Sequence, residues 1–130
     1  MHEPYEQKLN HKADFRVNYK FYNKDEGGRT GLPYQGYRCD FWYEADTHIP
    51  SQVFMIWPEF EDEDGNIITN TTIPIKREGE ARMWIIMAGM RSYHQKNIKI
   101  GMHCFLMESH IKVAECTIIE ILDLCINPIN

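Results

Sequence analysis

Phe15, Val17, Tyr19 and Phe21 alternate with Arg16, Asn18, Lys20 and Tyr22, the period of a strand with one face in a core. Lys24-Asp25-Glu26 ends the alternation, and Gly27-Gly28 supplies positive φ where other residues would clash. An aromatic-dense strand is expected at about 37–45 and a third at 53–60, where Pro58 suits an edge or a strand end. Glu61-Asp62-Glu63-Asp64-Gly65-Asn66 is a charged turn with the Asp-Gly signature of a hairpin. The β-branched run 67–75 predicts another strand, and the apolar run 81–89 a central one. Residues 101–107 and 111–124 predict a closing hairpin that turns through Glu108-Ser109-His110. No stretch predicts an amphipathic helix. Strands at this spacing, with turn signals between them, predict a sandwich or a barrel.

At 130 residues the chain fits one domain, with 43% apolar and 25% charged residues. We place that domain at 14–124, between an aperiodic tail or edge segment at 1–13 and a tail at 125–130. Nineteen acidic against fourteen basic residues give a net charge of −5, which argues against nucleic acid or an anionic membrane as the main partner. The start of the chain has no apolar stretch of a secretory signal, and no run approaches the roughly 20 apolar residues of a spanning helix. A cytoplasmic protein is expected. Cys39, Cys104, Cys116 and Cys125 form no C-x-x-C pair, so free thiols are expected.

Candidate chemistry is thin. His103, Cys104, His110 and Cys116 invite a metal reading, but adjacent residues on a strand point to opposite faces. If the hairpin turns at His110, positions summing to 220 face each other, which sets Cys104 against Cys116 as a buried thiol pair. His2, His11, His48 and His94 sit in polar surroundings and read as surface residues. Asp46-Thr47-His48 cannot assemble a triad from sequence neighbours. The acidic run from Glu59 to Asp64 lacks a calcium-loop spacing and reads as a solvated hairpin tip. Phe41, Trp42 and Tyr43 have the faces to stack bases, but alternate members of a strand turn inward. No nucleophile–base or carboxylate pair stands out, so no enzyme and no cofactor is expected.

One segment is more specific. Lys24-Asp25-Glu26-Gly27-Gly28-Arg29, six further residues and Gly36-Tyr37-Arg38, followed by Phe41-Trp42-Tyr43, resembles the C-terminal, third domain of elongation factor Tu. A second stretch, 101–122, agrees with that family at Gly101, Glu108, Val113 and the apolar end of the strand. The resemblance spans roughly 14–124 and implies an all-β fold, a six- or seven-stranded antiparallel β-barrel. No G-x-x-x-x-G-K-[ST] phosphate loop exists, so GTP binding does not carry over. The family's tRNA-gripping segment reads Glu108-Ser109-His110 here, flanked by Met107 and Ile111 where the family has arginines, so tRNA binding does not carry over either. In the family the double-glycine face rests against the GTP-binding domain, near a glutamine that is Asp40 in this chain.

The resemblance therefore implies a non-catalytic binding module. A protein partner, translation-related by analogy, would dock through Gly28, Arg29, Tyr37, Arg38 and Asp40. The bland alternative for these residues is structural: glycines satisfying turn dihedrals and arginines paired with Asp25, Glu26 or Asp40 at the barrel rim. A second functional reading is an acidic immunity- or antitoxin-type protein that neutralises a toxin through residues 59–64.

Overall fold

The alternation at 15–22 becomes β1 (Phe15–Phe21), whose odd-numbered side chains are all buried. The computed structural model describes residues 1–43 and 52–129. The other strands are β2 (Asp40–Tyr43), β3 (Ile56–Phe60), β4 (Glu78–Ile85), β5 (His103–Glu108) and β6 (Ile111–Ile121). They form one antiparallel sheet in the order β2-β5-β6-β1-β4-β3. The sheet curls until its outer strands meet. Phe41 N–H donates to the Phe54 carbonyl at 2.8 Å, and Phe54 N–H donates back to Phe41 at 2.7 Å.

This is the all-β antiparallel barrel expected from the sequence, with six strands among the described residues. Its interior is an aromatic core in which Phe15, Tyr19, Phe21, Phe41, Tyr43 and Phe60 meet mostly edge to face. Each such side chain contributes about 1.5–3 kcal/mol by leaving water, which is why the β1 alternation fixes the register so firmly.

Several expectations need correction. The run 67–75 forms no named strand. It makes one bridge, Glu61 to Ile67, and then wanders, with Ile73 well exposed and Pro74 unable to donate to a ladder. The apolar run at 81–89 is displaced: β4 begins at Glu78, ends at Ile85, and gives way to a 3₁₀ turn, Ala88–Met90. The second strand begins at Asp40 rather than Tyr37, and its expected end at Glu44 and Ala45 lies outside the described residues, as do Asp46, Thr47 and His48.

Two short helices appear where none was expected, α1 (Tyr5–Leu9) and α2 (Arg91–Asn97). The second buries Arg91 and His94, polar residues that carry no hydrophobic periodicity. Residues 1–13, read as a tail or edge segment, lie across the outer face of β3 and β4, with Tyr5 and Ala13 buried beside Trp84.

Cys104 does face Cys116. The turn is nevertheless tighter than expected, with Glu108 opposite Ile111 around the pair Ser109-His110. A bulge between Leu106 and Met107 then restores the sum of 220 from Leu106–Ala114 onward. His103 points outward from the same strand while Cys104 is fully buried.

Candidate functional site

The double-glycine loop is built by local chemistry. Asn23 caps the 3₁₀ turn Lys24–Glu26: its side chain accepts from Glu26 N–H at 2.9 Å, and Glu26 accepts from Asn23 N–H at 2.9 Å. Gly27 ends the turn at φ +90°. Gly28 has a different task. A Cβ there would stand 2.4 Å from the carbonyl oxygen of Tyr22, so only glycine lets the loop fold back on the end of β1.

The returning chain delivers Arg29 to the β5–β6 turn. Its Nε donates to Glu108 at 2.6 Å, and its guanidinium carbon stands 5.0 Å from the ring centroid of Tyr37. The Tyr37 hydroxyl donates to the same Glu108 oxygen. Burial, and then that hydrogen bond to a carboxylate, push the Tyr37 phenol well above its ordinary range. Tyr37 also packs against Phe21, which ties this rim to the core. Beside it runs an open groove lined by Gly28, Arg29, Thr30, Gly31, Glu108 and Ile111, the last more than half exposed.

Gly28, Arg29 and Tyr37 thus converge, while the other two candidates do not join them. Arg38 turns toward β3, its guanidinium 4.3 Å from the centroid of the Trp57 ring. Asp40 opens β2 opposite Met107. Neither arginine takes the partner that sequence reasoning offered. Arg29 pairs with Glu108 of the β5–β6 turn rather than Asp25, Glu26 or Asp40, and its Nη1 donates to the Gly31 carbonyl of its own loop.

The acidic run is not a solvated tip throughout. Glu59 and Glu61 are buried. Glu61 accepts from Arg16 at 2.8 and 2.9 Å and from Arg82 at 3.1 Å. Asp62 accepts from the backbone of Asp64 and Asn66 inside its own turn, and Glu63 pairs with Lys76.

Two histidines read as surface residues are covered, His94 buried and His2 half-buried with its side chain turned inward. The His2 side chain lies against Glu59 with Nε2 at 2.6 Å from the carboxylate. His94 Nδ1 meets the Tyr43 hydroxyl at 2.6 Å among Phe54 and Tyr93, and burial beside the Arg91 charge lowers its pKa to about 4. Of the aromatic triplet, Phe41 and Tyr43 face the core, while Trp42 stacks on Phe105 under the Lys112 ammonium. Cys39, Cys104 and Cys116 are buried free thiols. Cys116 is raised well above the usual thiol range by its hydrogen bond with Cys104 and by burial, and Cys39 by burial and by Cys116. Among the described residues no three His, Cys, Asp or Glu side chains are grouped to hold a metal ion.

The fold and rim define the class: a small antiparallel β-barrel with a rigid glycine–arginine loop at one mouth. Among known proteins, no family model and no curated protein matches the chain. A crystal structure of Sup35 complexed with GMPPNP overlaps 86% of this chain at 14% identity and a TM-score of 0.41. The overlap takes in 26% of that protein, so this chain spans about a quarter of its length. So loose an overlap assigns no residue a role.

Proposed function

We propose that the chain is a non-catalytic docking module that recognises a protein partner through the rim at Gly28, Arg29 and Tyr37. The observation that carries this reading is the locked pose of Arg29. A capped turn and a glycine wedged under Tyr22 hold the loop, and Glu108 and Tyr37 hold the guanidinium, next to the exposed Ile111. A fixed arginine beside an apolar side chain is the make-up of an interface anchor, because little side-chain entropy remains to be lost on binding. The resemblance of residues 24–38 to the third domain of elongation factor Tu directs the search for the partner to translation components first.

Cytoplasmic residence and the lack of catalysis belong to this proposal. In its support, the buried carboxylates Asp14, Glu59 and Glu61 are each held by several donors of the fold itself. The acidic-capture reading has less to draw on than the sequence offers, since Glu59 and Glu61 are turned inward and Asp62 is engaged in its own turn.

The experiment is quantitative affinity capture from the native cell by the immobilised chain and its Arg29→Ala variant. Loss of an interface anchor of this kind costs about 1–3 kcal/mol, a drop of roughly 5- to 150-fold in capture. A variant with an unchanged melting temperature that captures the same proteins equally well would overturn the rim.

A further inference from the structure

Two tryptophans sit side by side on the outside of the barrel. The β3–β4 register sets Trp57 opposite Trp84, and α1 lays Tyr5 over both. Tyr5 stands edge-on to Trp84 at 5.9 Å and tilted to Trp57 at 6.2 Å, and only 3% of its surface stays exposed. The floor of this slot is charged. Glu59 is 1% exposed, and a carboxylate buried so deeply needs donors. Trp84 Nε1 supplies one at 3.1 Å from the barrel itself. Residues 1–11 supply the rest, the Tyr5 backbone N–H at 2.8 Å and the His2 ring at 2.6 Å. Arg38 lies over Trp57, and its positive charge faces the Tyr5 phenol.

This strap fastens at one end and is anchored separately at the other. Asn127 donates to the Lys12 carbonyl at 2.8 Å, Asp123 N–H donates to Ala13, and the Asp14 carboxylate accepts from Ile85 N–H, Arg91 and Asn127. Between the two anchors Asn10 takes the left-handed conformation at φ 58°, a natural pivot. The strap can therefore leave the slot without drawing β1 out of the sheet.

We propose that the Trp57–Trp84 slot is a peptide-docking site that the strap fills as an internal ligand. Its external ligand is a short segment of a protein partner with a tyrosine three residues after a histidine or lysine. Each part of that chemistry has its receiver: the ring against the indoles, one of which carries the Arg38 guanidinium on its face, and the backbone N–H and the preceding cation or imidazole on Glu59. An acidic residue in place of that histidine is rejected, because Glu59 would face a second carboxylate. This inference rests on the docking-module reading and adds to it a site on β3 and β4, away from the loop that carries Arg29.

The probe is a labelled synthetic peptide of residues 1–11, titrated by fluorescence anisotropy against the full chain. In the wild type the tethered strap competes at a local concentration in the millimolar range, so the peptide binds poorly. The full-length Tyr5→Ala variant weakens the strap and leaves the slot intact, and it should bind the peptide at least tenfold more tightly. The gain should survive lysine for histidine in the peptide, and it should vanish with glutamate there or with alanine for its tyrosine. His2→Ala is the gentler variant if Tyr5→Ala does not fold. A cooperatively folded variant that binds the peptide no better than wild type overturns the proposal. So does a strap-exchanged dimer seen by light scattering, since the occupant would then be a second copy. Arg29→Ala should leave peptide binding unchanged, so failure of the rim and failure of the slot are read separately.

Discussion

Single atoms decide whether the double-glycine loop can form. A methyl group at residue 28 would collide with backbone rather than with a movable side chain, the Tyr22 carbonyl oxygen at 2.4 Å and its carbon at 2.8 Å. Gly28→Ala should cost about 1–3 kcal/mol in urea unfolding, whereas alanine at Gly31, which meets nothing within 4 Å, serves as the neutral control. His94 acts through its charge instead. Its pKa falls from 6.5 to about 4 on folding because burial and Arg91 oppose protonation. The unfolded chain therefore binds a proton that the folded chain refuses. The stability it contributes is complete above about pH 6.5 and is lost as the pH falls toward 4, on the order of 3 kcal/mol. Urea midpoints measured across that window should fall more steeply for wild type than for His94→Gln, which still offers Tyr43 a partner.

Elements show which signals carried through from the sequence. The β5–β6 hairpin closes on Ser109 at φ 57°, the first position of a two-residue turn, where glycine is the usual occupant. Ser109→Gly should raise stability by about 0.5–1 kcal/mol, read as a later urea midpoint with an unchanged slope. The hairpin itself was legible from its long apolar runs and the polar turn between them, although burial on β5 runs unbroken from Cys104 to Met107. β1 was legible because its two faces differ so clearly, with every odd-numbered side chain buried. Residues 67–75 were misleading because β-branched composition reports fitness for a pleated surface, and here no neighbouring strand receives most of the run. α2 was hidden because its buried residues are an arginine and a histidine satisfied by distant partners, which no local pattern announces. Of the candidate site, the glycine chemistry could be read directly. The meeting of Arg29 and Tyr37 on Glu108 could not, being fixed across 79 and 71 residues of chain. Trp57 and Trp84 did carry a signal, since large indoles at outward strand positions imply a cover.

At the scale of the molecule, the two ends of the chain are tied through one buried ion pair. Arg91 and Asp14 are 2% and 0% exposed and 3.1 Å apart, and Arg91 also donates to the carbonyls of Ile85 and Pro128. Arg91→Met removes one charge and strands the other, so unfolding should be easier by about 3–5 kcal/mol in chemical denaturation. The opposite side of the barrel is far less secure. Among the described residues, Phe41 and Phe54 close the cylinder with a single pair of backbone bonds, while every other junction is a ladder of four or more residue pairs. When the cylinder breathes it must part there first, like a cuff at its button, and show two raw strand borders to neighbouring molecules. Pro58 stands on one of those borders with no N–H to offer. The proline that the sequence set at an edge or strand end thus withholds a ladder donor from any neighbouring chain whenever the cuff comes undone.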